Sequence, residues 1–509
     1  MNRFCTLRIS LLFLAFFSLI SLPLTAQRVS LEALDAYIEQ ARLDWEIPGL
    51  AVSIIKNDSL IFAKGYGVKQ LGQPGKVDAH TLFAVASNSK AFTATLLGML
   101  VAQGKLNWDD PVIRHRRDFQ MFDPYVTREI TVRDLLTHRS GLPTFGGDHL
   151  WIGNDLSRDE IIRRIRYLEP TAPFRTTFQY QNLMFLVAGE LIPAVAGIGW
   201  DEAMQQWILG PLGMTESNTT IRALASHPNV AMPHERVGGK IAPVAFDNLD
   251  NVAPAAALNA NVLDMAQWMR FNLNEGSIDG QQLLDKDIMW EMHSLQMPVP
   301  LSRRSADFQD RQFSGYGLGW SLSDYHGRKI ISHGGGMSGM ISLQTLVPSE
   351  KLGIMIMTNF APNSLTRALS YRILDHFLGA PERDWAQEYL DLGKQARQRA
   401  EERENALQAS RISGTRPALN LDAYAGKYYD TFSGPATVRL EQGQLYFDYN
   451  SRHRGRLEHW HYDTFRVIWD NPIFDMPDKS FLTFYLDDNG KVEKLKVSFY
   501  DPLYFYRAN

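Results

Sequence analysis

A chain of 509 residues is more than one ordinary hydrophobic core organises, so two or three domains are expected. Its 45% hydrophobic and 21% charged residues are those of a globular protein, and a formal charge of −4, with no basic run interleaved with aromatics, excludes a nucleic-acid-binding role. The single cysteine, Cys5, precedes the first apolar run, so the rest of the chain has no thiol for a disulfide framework, a nucleophile or a metal site.

In chain order, the first pattern concerns targeting. Arg3 and Arg8 lead into an apolar run over 9–20, followed by Pro23 and a small-residue site at Ala26. This is the pattern of a cleavable secretory signal over 1–26. An uncleaved anchor is the competing reading, because the run is nearly long enough to span a bilayer; Pro23 and Ala26 favour cleavage. The mature chain is therefore expected to be secreted or periplasmic, with no membrane span after signal cleavage.

Ser30 then caps a predicted amphipathic helix with Leu31, Leu34 and Ile38 on one face, ending before Pro48-Gly49. Residues 50–56 and 59–67 read as a hairpin turning at Asn57-Asp58. The stretch 81–93 reads as an extended lead-in that becomes a helix, with Ser87 near its start, Lys90 one turn later on the same face, and Gly104 as the stop. Helical periodicity dominates 131–214, with one short helix at 132–136 closed by Ser140-Gly141-Leu142-Pro143. Another, at 182–192, points Leu183, Leu186, Val187 and Leu191 inward. A further helix between 257 and 284 is capped by Asn261, with Asp264 in its first turn.

Strand character returns at 317–322, 329–332, 341–347 and 352–358, read as successive antiparallel strands covered by a helix at 365–378. A hairpin at the front and strands at the back predict one sheet built from both ends of a domain spanning 27–380, with a helical region inserted at about 110–285. The fold class is α/β (α+β), an antiparallel sheet flanked by helices. A charged helix at 385–408 and the segment 410–417 read as a linker over 381–417. Short alternating strands over 418–509 predict a separate small β-barrel.

The chemistry centres on Ser87. A serine hydroxyl is a poor nucleophile at neutral pH unless a neighbour takes its proton, and a desolvated lysine does so once its pKa falls. Ser-x-x-Lys alone is a weak signal. Here it is accompanied by Tyr180-Gln181-Asn182 and His333-Gly334-Gly335, and by the blocks 104–112, 135–143, 178–182, 211–214 and 332–336. Together these resemble the serine β-lactamase and penicillin-binding peptidase superfamily, in the style of class C β-lactamases and the D-aminopeptidases and esterases related to them, over about 48–378. Tyr424-Ala425-Gly426-Lys427-Tyr428 and the block 457–465 resemble the lipocalin-like domain that follows some of these peptidases.

The resemblance implies that Ser87 attacks a carbonyl to form an acyl-enzyme, with either Lys90 or Tyr180 as the base. It implies that Asn182 bonds Lys90 and a substrate amide, although Asn182 equally suits a helix N-cap. It places the amide of Gly336, with that of Ser87, in the oxyanion hole, and Gly334 and Gly335 where a substrate approaches the backbone closely. His333 departs from the pattern: a lysine is usual there to meet a substrate carboxylate, and a histidine, mostly neutral at pH 7, binds an anion weakly.

No cofactor is called for. Gly334-x-Gly336-x-x-Gly339 fits a dinucleotide fingerprint in form but precedes a strand-like run. His459-x-His461 lacks a third ligand, so no metal site is assigned. The expected function is a secreted serine hydrolase acting on a peptide, amide or ester, with a small-molecule or peptide substrate as its partner. The alternative is a penicillin-binding-type sensor without efficient turnover. The oligomeric state, a homo-oligomer included, is left open.

Overall fold

The near-continuous apolar runs at Gly49–Lys56 and Leu352–Thr358 exist because the sheet they belong to is buried on both faces. Along these strands Leu50, Val52, Ile54, Leu352, Ile354 and Ile356 enter one core, while Ala51, Ile55, Met355 and Met357 enter the other. Helices Leu31–Asp44 and Leu365–Leu378 cover the first face; Ser89–Ala102 and Val262–Leu273 cover the second. The computed structural model describes residues 30–471, 480–498 and 502–508, so the signal expected at 1–26 lies outside the described residues.

The sheet has eight antiparallel strands in the spatial order Ser59–Gly67, Gly49–Lys56, Leu352–Thr358, Met340–Val347, Arg328–Met337, Ser321–Tyr325, Ser314–Tyr316, Met297–Pro298. The front hairpin thus joins the back strands through 49–56 against 352–358, as expected, with Leu50 opposite Thr358. Its turn residues Asn57 and Asp58 both have positive φ (51° and 63°), the geometry that a two-residue hairpin turn requires.

Two strand assignments change. Residues 317–320 form the tight connection between Ser314–Tyr316 and Ser321–Tyr325, closed by Gly317 N–H donating to Trp320 O, with Gly319 at φ 78°. The strand expected at 329–332 runs on to Met337, carrying the His-Gly-Gly-Gly stretch inside the sheet. Glycine has low strand propensity, but 333–337 pairs with 340–344 residue for residue, and tertiary pairing overrides propensity here.

The charged segment is one 25-residue helix, Trp385–Ala409, whose first turns are packed into the domain of the eight-stranded sheet by buried Trp385, Ala386 and Tyr389. Trp385 Nε1 donates to Asp375 Oδ2 at 2.6 Å, which fixes the helix start on Leu365–Leu378. Beyond it, eight strands from Gly426–Asp430 to Pro502–Arg507 close into a barrel, the last pairing with the first. Its interior is filled by its own side chains, among them Tyr428, Phe447, Val467, Phe484, Leu495 and Phe505. His459 Nε2 bonds the Tyr462 carbonyl at 2.9 Å, and a register shift separates it from His461; among the described residues no cluster of three or more metal-ligating side chains occurs.

Helix Asn182–Ala196 crosses the short helix Ala253–Ala256 at Gly189, where an added Cβ would lie 2.2 Å from Pro254 Cγ. Gly189→Ala therefore overpacks the contact that positions Ala255, and a loss of about 1–3 kcal/mol is expected. Thermal unfolding followed by circular dichroism checks this; an unchanged melting temperature would show that the contact yields freely.

Candidate active site

Ser87 sits in the single 3-10 turn Ala86–Asn88 that feeds straight into helix Ser89–Ala102. Ala86 adopts φ 46°, a left-handed conformation uncommon for a residue with a side chain, so the turn is held by its surroundings. The holders are visible: Asn88 Nδ2 donates to Val85 O (3.0 Å) and Ser342 Oγ (2.8 Å), and Ser89 Oγ donates to Ala86 O (2.7 Å) while accepting from Leu258 N (2.9 Å). Gly335 completes the cradle. A Cβ there would lie 2.0 Å from Val85 O, so only glycine lets the strand approach the turn.

Lys90, one helical turn after Ser87, is fully buried. Its Nζ lies 3.1 Å from Ser87 Oγ and donates to Asn182 Oδ1 at 2.7 Å and Ala255 O at 3.0 Å. Burial pushes its pKa down to about 7, against the opposing pull of the Asp148 carboxylate. Tyr180 reaches the same point: its hydroxyl is hydrogen-bonded to Ser87, and Lys90 Nζ stands 4.8 Å from its ring centroid. Burial raises the phenol well above its ordinary value, with Asp148 adding to the rise and the Ser87 bond opposing it.

Asn182 is the first residue of helix Asn182–Ala196, not its cap. The cap is Gln181, whose Oε1 accepts from Leu183 N at 2.9 Å while its Nε2 donates to Pro143 O and Gly146 O. Freed from capping, Asn182 accepts from Lys90 and donates from Nδ2 to Asp148 Oδ2 at 2.8 Å. Asp148 itself is buried and also accepts from Trp151 Nε1 at 2.9 Å. A polar chain thus runs Asp148–Asn182–Lys90–Ser87.

Neither Asp148 nor His138 stands out from the sequence alone. The His138 imidazole, fully buried and at φ 57°, accepts from Gln181 N at 2.9 Å through Nδ1, while its carbonyl accepts from Gln179 N at 2.8 Å. It therefore grips the residues on both sides of Tyr180 and packs, tilted by 32°, against the Tyr180 ring with the centroids 4.2 Å apart. Burial, with Lys90 and His333 nearby, holds it well below the usual imidazole pKa, so it is a neutral strut. The loop is anchored in turn by Asp134, fully buried and bridged to Arg139 (2.6 Å) and Arg175 (2.7 Å). The only signal for His138 in the sequence was its place within the block 135–143.

His333 lies beside this group, its ring 6.5 Å from that of Tyr180. It is 3% exposed, with Nε2 bonded to Tyr316 Oη at 2.9 Å and Nδ1 to Gly334 O at 2.8 Å. Burial, seconded by Lys90, pushes its pKa down to about 3, so it carries no charge at neutral pH. Both ring nitrogens are used within the protein. Gly334 is exposed and meets nothing closer than 3.6 Å, so steric need singles out Gly335 rather than Gly334. Past Ser332 no described strand pairs with the free edge of 333–337, which leaves that edge open beside the serine turn.

A cavity of about 570 Å³ opens here, lined by Ser87, Asn182 and Gly336 together with Phe145, Trp151 and Glu235. The barrel stands behind one wall of it. Asn450 Nδ2 donates to Ile152 O (2.9 Å), Ser451 Oγ to Gly153 O (2.8 Å), and Arg452 forms an ion pair with Asp247.

Comparison with known proteins agrees with this architecture. A family described as Beta-lactamase matches residues 34–377, and one described as a domain of unknown function, DUF3471, matches 410–508. The Unguisins hydrolase ungD of Aspergillus violaceofuscus is 30% identical over 430 residues, covering 78% of this chain and 74% of the relative. Protein flp of Staphylococcus aureus is 25% identical, covering 68% and 67%. Among solved structures, the octameric penicillin-binding protein homologue from Pyrococcus abyssi superposes with a TM-score of 0.62 at 21% identity, over 94% of this chain and all of that one. The D-amino acid amidase from Ochrobactrum anthropi SV3 does so with a TM-score of 0.56 at 19% identity, over 70% and 99%. With the family model spanning most of its length and a 30%-identical relative sharing most of both chains, this chain belongs to the Beta-lactamase family.

Proposed function

We propose that the protein is a secreted serine hydrolase that works through an acyl-enzyme on an amide, peptide or ester, with Ser87, Lys90 and Tyr180 as its catalytic residues. The observation that carries this reading is the desolvated Lys90 amine 3.1 Å from an accessible Ser87 hydroxyl. A neutral amine has two N–H groups and one lone pair. Asn182 Oδ1 and Ala255 O occupy the two donors, so the lone pair is left for the Ser87 proton. Between the two candidate bases the choice falls on Lys90, because burial lowers the pKa of the amine and raises that of the phenol.

In acylation the Ser87 proton passes to Lys90 as Oγ bonds the carbonyl carbon. Collapse of the tetrahedral intermediate breaks the bond to the leaving group, which takes a proton from Tyr180, and Lys90 replaces that proton. Water then repeats the sequence on the acyl-enzyme. The oxyanion is assigned to the amides of Ser87 and Gly336, which border one cavity. Hydrolase relatives in the family support turnover over an inert sensor, and the octameric Pyrococcus neighbour makes a homo-oligomer part of the proposal.

Three outcomes are expected. A fluorophosphonate probe labels the wild type, and Ser87→Ala abolishes labelling and lowers p-nitrophenyl ester turnover by about 10⁴-fold or more; labelling without turnover would favour the sensor. The pH profile of kcat/KM rises through about 7 as Lys90 loses its proton. Because Asp148 holds that pKa up, Asp148→Asn moves the rising limb to lower pH; a shift to higher pH would refute the assignment of Lys90 as base. Finally, the exported protein begins at Gln27 by N-terminal sequencing, and recovery of a chain starting at Met1 from the cell would contradict secretion.

A further inference from the structure

The cavity that Ser87 lines also holds a carboxylate with an unused oxygen. It belongs to the hairpin of strands His234–Val237 and Lys240–Pro243. His234 is fully buried, its Nδ1 bonded to Asn359 O at 3.0 Å and its Nε2 accepting from Leu71 N at 3.0 Å, so it pins the hairpin onto the end of the main sheet. Side chains alternate along a strand, so Glu235 points the other way and lines the cavity. It is 7% exposed. The Gly339 amide holds the carboxylate by one hydrogen bond, and Oε1 has no partner in the protein.

The cations nearby are committed elsewhere. Arg452 is paired with Asp247 and also donates to Phe246 O at 3.3 Å; Arg236 pairs with Glu46 at 2.8 Å; Lys90 serves Asn182 and Ala255. A buried carboxylate oxygen without a donor is costly, and the missing donor is best supplied by whatever fills the cavity. Asp148 and Asp247 line the cavity too, Arg236 lines it but is paired with Glu46, and the neutral His333 nearby brings no positive charge.

We propose that Glu235 is the seat for a positively charged group of the substrate, and that the site takes amides or esters bearing a free primary ammonium, such as unblocked amino acid amides or the amino end of a short peptide. This rests on the assignment of Ser87 as nucleophile. An ammonium is a compact charge with three donors, suited to a single carboxylate oxygen in a cavity whose lining mixes the apolar Trp151, Val237 and Ile341 with the charged Arg236 and Asp247. Glu235, Val237 and Ser338 also line a second hollow of about 310 Å³ beside Ser451 and Arg452, so the carboxylate stands where the cavity opens toward the barrel.

The test uses the full chain and matched pairs of D- and L-alanine and phenylalanine p-nitroanilides, with free or N-acetylated amines. For at least one enantiomer kcat/KM for the free amine exceeds that for its acetylated partner by about tenfold or more, chiefly through KM, and Glu235→Gln reduces this ratio by about tenfold. Equal rates on free and blocked substrates, no turnover of any free amine, or a ratio unchanged in the variant would each overturn the proposal. Fluorophosphonate labelling of Ser87 in the same samples separates the two readings. Labelling without an amine preference removes only the role of Glu235; loss of labelling removes the serine mechanism. If the variant does not fold, the wild-type ratio alone decides.

Discussion

The arrangement depends on keeping a lysine amine out of water without giving it a counter-ion. Lys90 touches two neutral acceptors and a hydroxyl, and the nearest carboxylate, Asp148, is held one residue away by Asn182. Direct contact with a carboxylate would favour the ammonium and hold the pKa high; complete isolation would drop it further and leave the side chain poorly anchored. Placing a carboxamide between the two charges gives an intermediate state. The amide orients the amine through a hydrogen bond and passes on only part of the field, and burial then brings the amine to about 7. Much of the surrounding structure serves this: Gln181 takes over the helix cap so that Asn182 is free, and the Gly189 crossing places Ala255 O at the third corner.

Local patterns in the sequence disclosed a good deal of this. The Ser87–Lys90 spacing and the position of Tyr180 two residues before Asn182 are constraints on short stretches, and they converge in one crevice. The hairpin at 49–67, the Asn261 cap and the C-terminal barrel were legible because turn chemistry and period-two patterning act within a few residues. What escaped reading depends on distant partners. Asp148 and His138 are ordinary loop residues until the fold brings Asn182 to one and the backbone around Tyr180 to the other. Residues 333–337 look like a glycine loop and become a strand because 340–344 supplies the pairing. The left-handed Ala86 has no sequence signature, since its conformation is imposed by Asn88, Ser89 and the close approach of Gly335.

The barrel contributes to the site through its loops rather than its interior. Side chains from its own strands occupy the inside, while 450–452 at one rim grip the carbonyls of Ile152 and Gly153 and the Asp247 carboxylate. The gripped segment carries Trp151 and Ile152 into the cavity wall, and Asp148 lies just before it. His149, between them, bonds Ser433 of the barrel at 3.1 Å. A polar contact made 284 residues away in sequence thereby limits the freedom of the carboxylate that tunes Lys90 through Asn182. Loops of this kind, left to themselves, are among the least stable parts of a domain.

The charge pattern around the serine turn departs from the one that the family resemblance leads one to expect. A substrate carboxylate needs a fixed cation, and the position where the family resemblance leads one to expect a lysine holds a histidine with both nitrogens bonded internally and a pKa pushed far below neutrality. Replacing His333 with lysine would not by itself restore such a site. The new ammonium would be buried beside Lys90 and against Tyr316, and each positive charge would disfavour the other. The electrostatics of the lysine and of the cavity are therefore coupled here: a neutral residue at 333 spares Lys90 a second cation that would depress its pKa still further, and the cavity keeps an acidic lining at Asp148, Glu235 and the Arg452-paired Asp247.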